Sequence, residues 1–293
     1  MKLSFTYDQQ RAIEDGNRRR QYLQGVAKLA ATASQSPGKY RHYFIYGPSG
    51  IGKTYNIEKA VKESGVNYEV VSGASSMYGF FIDLVMAKYA YRDEKAVIII
   101  DDCDALFKTS DNINIMKELL GEKQRFTYNV NIHPNAVGEE GSDEHNAMLE
   151  ARKPNGVGYE VDCSNFSFII TSNNALPNEA DIEAKITKNG GVATGKLALL
   201  NHMLAIATRV MPKNCMFTKE EKWGNIVSIA MEDAEGHFSN LTEQQKVYLL
   251  DFMWVNWDKL TQSSVRTAEQ MAQMFEYFGE QEVRNAWEIE YLV

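Results

Sequence analysis

The chain has 293 residues, 44% hydrophobic and 24% charged, a length that suits two domains and a composition that can bury a core. Its net charge of −8 argues against a generic nucleic-acid coat, which needs a phosphate-neutralising basic surface, and leaves room only for a local basic lining. No apolar stretch is long enough to span a bilayer and Met1–Phe5 lacks the apolar core of a signal peptide, so the expected compartment is the cytoplasm where the chain is made.

Residues 6–33 are rich in helix formers and are interrupted at Gly16-Asn17, which predicts one or two leading helices within an N-terminal segment 1–40. Arg18-Arg19-Arg20 reads as a solvated helix face. After the breaker cluster Ser34-Gln35-Ser36-Pro37-Gly38, residues His42–Tyr46 form a short apolar strand that runs into a glycine-rich loop. Further apolar runs at 68–71, 96–100 and 166–170 leave room for helices between them. Strands of that kind predict an α/β doubly wound parallel sheet covered on both faces, over residues 41–212. Residues 125–162, with weak periodicity and the acidic stretch Glu139–Glu144, read as an elaborated surface insertion without an assigned role.

From Phe217 the pattern turns helical. Thr218 with Glu221 and Thr242 with Gln245 match the capping box, and Ile226, Ile229, Ala230, Leu249, Leu250, Met253 and Trp254 recur at helical spacing. Residues 213–293 are therefore expected to be a small α-helical domain following the α/β one. Cys103, Cys163 and Cys215 form no CxxC pair and have no histidine at metal-ligand spacing, so they read as reduced, buried thiols.

Gly47-Pro48-Ser49-Gly50-Ile51-Gly52-Lys53-Thr54 satisfies G-x-x-x-x-G-K-[ST], with a strand before it and a helix, Tyr55–Glu63, after it. Glycines let backbone N–H groups curl around phosphates, a lysine sets a cation against the β and γ oxygens, and the Thr54 hydroxyl is a Mg²⁺ ligand. The run Ile98-Ile99-Ile100 ends in Asp101-Asp102, two carboxylates due to emerge at the C-terminal edge of the sheet, where ligands bind in such folds.

The order of these and later motifs resembles the AAA+ family, including its small phage-type members, over about Tyr43–Phe275. The resemblance implies a P-loop ATPase domain with a helical lid, binding ATP and Mg²⁺. It implies that Asp101 is the Mg²⁺-associated acid and that Asp102 polarises the attacking water, a task the family usually gives to glutamate. Thr171-Ser172-Asn173-Asn174 looks like sensor 1, with Asn173 the first choice and Asn174 the second. Arg209, after a helix over 196–207, resembles the arginine finger, and Arg266, after Ser263-Ser264-Val265, resembles sensor 2. A finger supplied to a neighbour implies a homo-oligomer, a hexameric ring or arc. Met77-Tyr78-Gly79 is a permuted form of the aromatic-hydrophobic-glycine pore loop; the equal alternative is that Met77, Tyr78, Phe80 and Phe81 pack a helix onto the sheet.

Two roles follow from the resemblance. One is a ring that remodels or threads a protein substrate, and the other a clamp-loader-like or helicase-loader-like ATPase acting on a replication protein at DNA, a partner the net charge does not favour. A nucleotide-dependent scaffold with slow turnover is a third. If the gene is a phage's, the compartment is the host cytoplasm.

Overall fold

The apolar runs of the sequence become strands of one parallel sheet in a computed structural model that describes residues 4–35, 41–73, 76–102, 104–188, 195–233, 236 and 238–293. By its contacts the chain divides into two compact units, one of Met1–Gly25, Gly47–Asn56 and Cys215–Val293, the other of Val26–Tyr46 and Ile57–Asn214. Cys103 and residues 36–38 of the breaker cluster lie outside the described residues. No helix among the described residues is long and apolar enough to cross a membrane.

The second unit holds the five-stranded sheet, made of β1 (Tyr43–Tyr46), β2 (Asn67–Ser72), β3 (Ala96–Asp101), β6 (Phe166–Ser172) and β7 (Met211–Asn214), in the order β2-β3-β6-β1-β7. Every pairing is parallel. The strands that pair on both sides, β1, β3 and β6, are almost wholly buried, as apolar strands covered on two faces must be. β2, expected as a run buried like the others, is instead an edge strand exposed at alternate positions. β7, Met-Pro-Lys-Asn, has no strand signature in the sequence; it pairs only with β1, and a proline without an N–H is tolerated on such an edge.

Residues 125–162 fold into a substructure of their own. β4 (Arg125–Tyr128) pairs antiparallel with β5 (Tyr159–Asp162), and α5 (Asp143–Ala151) lies between them in sequence. Ser142 caps α5, so the acidic stretch supplies a helix first turn, where carboxylates suit the helix dipole. Phe126, Met148, Tyr159 and Val161 are buried in the core of this unit, together with Phe80 and Phe81 from α3 (Met77–Tyr91). The segment is thus part of the core as well as of the surface.

His42, just before β1, is fully buried. Its Nδ1 accepts the Phe168 N–H at 3.2 Å, and its Nε2 lies 2.7 Å from Gln124 Nε2. Burial, and secondarily the charge of Arg41, push its pKa down to about 3.

The first unit is helical. α8 (Lys219–Glu232) and α9 (Glu243–Val255) both begin with the capping boxes read from the sequence. α10 (Val265–Tyr291) turns at Gly279, which lets Trp287 fold back and donate to the Met271 carbonyl at 3.0 Å. Trp223, Leu249, Leu250, Met253, Met271 and Trp287 form the core.

The leading helix is single, α1 (Tyr7–Gln35), and Gly16 does not interrupt it. A Cβ on Gly16 would lie 2.4 Å from the Asn225 nitrogen, and one on Gly224 would lie 1.9 Å from the Ala12 carbonyl oxygen. The glycines therefore let α1 and α8 touch backbone to backbone. Asn17 accepts from Ser228, Arg19 pairs with Glu221 at 2.8 Å, and the buried Arg20 pairs with Glu232. Only Arg18 of the arginine run fits a solvated face, since Arg19 and Arg20 point at α8.

Candidate active site

The loop Gly47–Lys53 leaves β1 and enters α2 (Lys53–Glu63), two residues earlier than the helix start expected from sequence. Gly50 and Gly52 have φ of 72° and 73°, the left-handed region that glycine occupies without strain. A Cβ on Gly50 would also lie 2.3 Å from that of Ser264. Three consecutive loop carbonyls are braced within the same unit: Gly50 by the Val265 N–H at 3.0 Å, Ile51 by Asn225 Nδ2 at 2.7 Å, and Gly52 by Asn56 Nδ2 at 2.8 Å. Asn225 is fully buried. Lys53 Nζ donates to the carbonyls of Gly47 and Pro48 at 2.7 and 2.9 Å. Thr54 follows it in the first turn of α2, and Pro48 and Ser49 form the outer part of the loop.

Arg266 is exposed in the first turn of α10, next to Val265 and hence beside the contact with Gly50. Cys215 is buried behind Gly47, whose missing Cβ would meet the Cys215 carbonyl at 2.5 Å. Burial pushes its thiol up to about 11, against the opposing effects of Lys53 and Arg19. Cys163 is buried too, with its thiol pushed up by desolvation, so both described cysteines are neutral thiols.

In the other unit, β3 and β6 end side by side, and each acid of the Asp101–Asp104 run meets a polar group from β6 or the turn after it. Thr171 Oγ1 donates to Asp101 Oδ1 at 2.5 Å. Asn173 Nδ2 donates to Asp102 Oδ1 at 3.1 Å, while Asn174 Nδ2 donates to Asp104 Oδ2 at 3.2 Å. Ser172 Oγ donates to Asp104 Oδ1 at 2.9 Å. The two asparagines therefore have different partners, and only Asn173 reaches the acidic pair Asp101-Asp102. Asp102 has φ 51°, a left-handed conformation that aspartate tolerates better than most side chains, and its carboxylate is exposed at the turn.

Strand order explains how Asn173 comes to this edge. β6 lies between β3 and β1, with Ile170 in register with Ile100 and Ser172 with Tyr46, the last residue before the glycine-rich loop. Sequence reasoning missed Thr171, Ser172 and Asp104 as partners, and Asn225. Thr171 and Ser172 lie inside a motif already noted and Asp104 stands two residues beyond another; Asn225 is a single buried asparagine on a helix, which carries no signal alone.

Arg209 sits in the turn between α7 (Gly195–Ala207) and β7, half-buried, and its guanidinium donates to the Ala205 carbonyl. Met77, Tyr78 and Gly79 lie in the first turn of α3, capped by Ser76, whose hydroxyl accepts the Gly79 N–H at 3.1 Å. Met77 is buried in the core, whereas Tyr78 is 40% exposed with its ring 6.4 Å from that of Tyr128.

A parallel sheet in this order, entered through a G-x-x-x-x-G-K-T loop and edged by an acidic strand end, defines a P-loop ATPase fold. The family model described as ATPase family associated with various cellular activities (AAA) matches residues 43–186. An uncharacterized 36.7 kDa protein from the nrdC-mobD intergenic region of Enterobacteria phage T4 is 24% identical over 241 residues, 80% of this chain and 63% of that protein. The Homo sapiens ATPase family AAA domain-containing proteins 3B and 3C are 25% and 24% identical over 118 residues, 39% of this chain and 18% and 29% of theirs. The chain thus spans less than two thirds of each of these relatives. Among solved structures, the closed state of Hsp104 with ATPγS and FITC casein superposes with a TM-score of 0.45 at 16% identity, over 87% of this chain and 42% of that one. Cdc6p from Pyrobaculum aerophilum gives 0.43 at 16%, over 89% and 63%. The match to residues 43–186 and the similarity to these relatives support the AAA+ ATPase family.

Proposed function

We propose that the protein hydrolyses Mg-ATP at the subunit interfaces of a homo-oligomer, a hexameric ring or arc, and uses the cycle to remodel or thread a protein partner in the cytoplasm. The observation that carries the ATPase reading is the hydrogen bond from Asn173 to Asp102, which holds a carboxylate at the edge of the sheet where β1 runs into the phosphate loop. On this reading Gly47–Thr54 bind the phosphates, with Lys53 as the fixed cation. The donor chemistry fits Mg²⁺, because the Thr54 hydroxyl and Asp101 carboxylate are hard oxygens and one or two such groups suffice beside phosphate oxygens and water. When bound, the ion neutralises charge on the phosphate oxygens. Asp102 accepts the proton of the attacking water, Asn173 orients Asp102, Arg266 contacts the nucleotide from the lid, and Arg209 acts on the nucleotide of a neighbouring subunit.

A protein partner is favoured over DNA by charge and by one surface feature. The net charge of −8 opposes a nucleic-acid track, and Tyr78 beside Tyr128 offers aromatic faces that grip polypeptide without regard to sequence. The deciding experiment measures ATP turnover alone, with an unfolded polypeptide, and with single- and double-stranded DNA. Stimulation by polypeptide that is lost in Tyr78→Ala is expected. Stimulation by DNA alone would assign the chain to the replication-loader type, and unchanged turnover in Lys53→Ala would remove the ATPase reading altogether.

A further inference from the structure

A second cluster of cations lies at the opposite edge of the sheet from Asp101 and Asn173. A cavity of about 650 Å³ is lined by Arg41, Lys117, Lys123 and Arg209, with Glu118 and Glu122 also on its wall. Arg41 stands just before β1, and Arg209 just before β7, β1's parallel neighbour. The cavity therefore opens at the N-terminal edge of these strands, whereas the acids and Asn173 lie at the C-terminal edge. The 4 residues of β1 alone separate the two edges by about 13 Å. A phosphate held in the cavity cannot at the same time touch Asp101 or Asp102 of the same chain.

The cations are fixed by neutral acceptors. Arg209 donates to the Ala205 carbonyl and Arg41 to the Ser164 carbonyl at 2.6 Å. Lys117, on α4 (Ser110–Leu119), places its ammonium 2.7 Å from His202 Nδ1, which accepts from it, since a lysine can only donate. Among the described residues none of Arg41, Lys117 and Arg209 forms an ion pair. Arg41 Nε is moreover buried without a hydrogen-bond partner. The ammonium of Lys117 is disfavoured first by burial and then by the charge of Arg209, a penalty that an arriving phosphate relieves.

We propose that this cavity is an oxyanion cradle for the terminal phosphates of ATP bound to a neighbouring copy of the chain, and that Lys117, held by His202, acts there together with Arg209. The proposal rests on the ATPase reading above and adds to it a second trans-acting cation and a residue that positions it. An arginine finger alone leaves the half-buried Lys117 without a reason to stand beside another cation. A shared phosphate ligand supplies one.

Mixing experiments test this. Lys117→Ala should keep ATP affinity within about twofold yet lose about 10²-fold in turnover, the scale for one group that meets charge developing in a transition state. Lys53→Ala, whose own loop cannot hold nucleotide but whose cavity is intact, should also be inactive alone. Mixed, the two chains should regain turnover well above either parent, because a Lys53→Ala subunit lends its Lys117 to the nucleotide of a Lys117→Ala neighbour. Arg209→Ala mixed with Lys53→Ala should do the same, and His202→Ala should show a partial loss that the same mixing restores.

Normal turnover in Lys117→Ala, or a loss that mixing does not restore, would overturn the proposal. Titration of the Lys53→Ala chain with inorganic phosphate separates the two sources of the ligand. Binding that depends on Lys117, without restoration on mixing, would mark a free-phosphate site and overturn the assignment to a neighbour's nucleotide. The ATPase reading fails separately, if the unmodified chain neither binds nor turns over ATP.

Discussion

Asn173 donates its side-chain amide to Asp102 across the ends of two adjacent parallel strands, at 3.1 Å. The geometry makes Asp102→Asn an informative change, because asparagine keeps the acceptor oxygen for Asn173 and tolerates φ 51° as well as aspartate does. Turnover should fall by about 10²-fold or more, on the order of a lost general base, with ATP affinity and melting temperature nearly unchanged. Asn173→Ala should lower turnover while leaving affinity intact. Steady-state rates beside equilibrium nucleotide titration check both.

Asn225 should matter for nucleotide affinity although it lies in a lid helix. Its Nδ2 braces the Ile51 carbonyl at 2.7 Å inside a fully buried environment. Asn225→Ala leaves that carbonyl without its donor, so stability should fall by about 1–3 kcal/mol and the ATP dissociation constant should rise by about tenfold. Titration with a fluorescent ATP analogue at a temperature where the variant is folded checks the second effect separately from the first.

The contact of α1 with α8 predicts opposite outcomes for two glycines. Gly224→Ala puts a methyl 1.9 Å from the Ala12 carbonyl oxygen, and the forced separation of the helices should cost about 1–3 kcal/mol or more. Gly25, on the same helix α1, has nothing within 4 Å of the place an alanine methyl would take, so Gly25→Ala should stabilise by about 0.4–1 kcal/mol through a less flexible unfolded chain. Urea unfolding midpoints of the two variants should move in opposite directions.

Acid should destabilise the sheet unit through His42. Its folded pKa of about 3 lies below the ordinary 6.5, so the unfolded chain binds more protons between those values. The contribution is fully present above about pH 6.5 and is lost progressively as pH falls towards 3, at no more than ~1.4 kcal/mol per pH unit. Denaturation midpoints measured from about pH 7.5 to about pH 4 should fall accordingly. His42→Gln should show a shallower fall, from a lower starting stability.

Much of this protein was legible from residues alone, where a local pattern carries the physics. The phosphate loop follows from its glycines and lysine between a strand and a helix, the buried strands β1, β3 and β6 follow from unbroken apolar runs, and both lid helices begin where hydroxyl and acid or amide sit three apart. β7 was not legible, because an edge strand paired on one side needs neither apolar residues nor a full set of N–H groups. Only the order β2-β3-β6-β1-β7 brings the turn after β6 to the acids of β3 and separates the partners of Asn173 and Asn174. Likewise Gly16, Arg19 and Arg20, read locally as a helix break and a solvated face, are contacts of α1 with α8, far later in the chain. Sequence determined the chemistry of the phosphate loop and the acidic strand end because those groups act through spacing of a few residues. Tertiary structure alone decided how Asn225 braces that loop and how Arg41, Lys117 and Arg209 come to share one cavity, because charges and hydrogen bonds between distant segments exist only once the chain has folded.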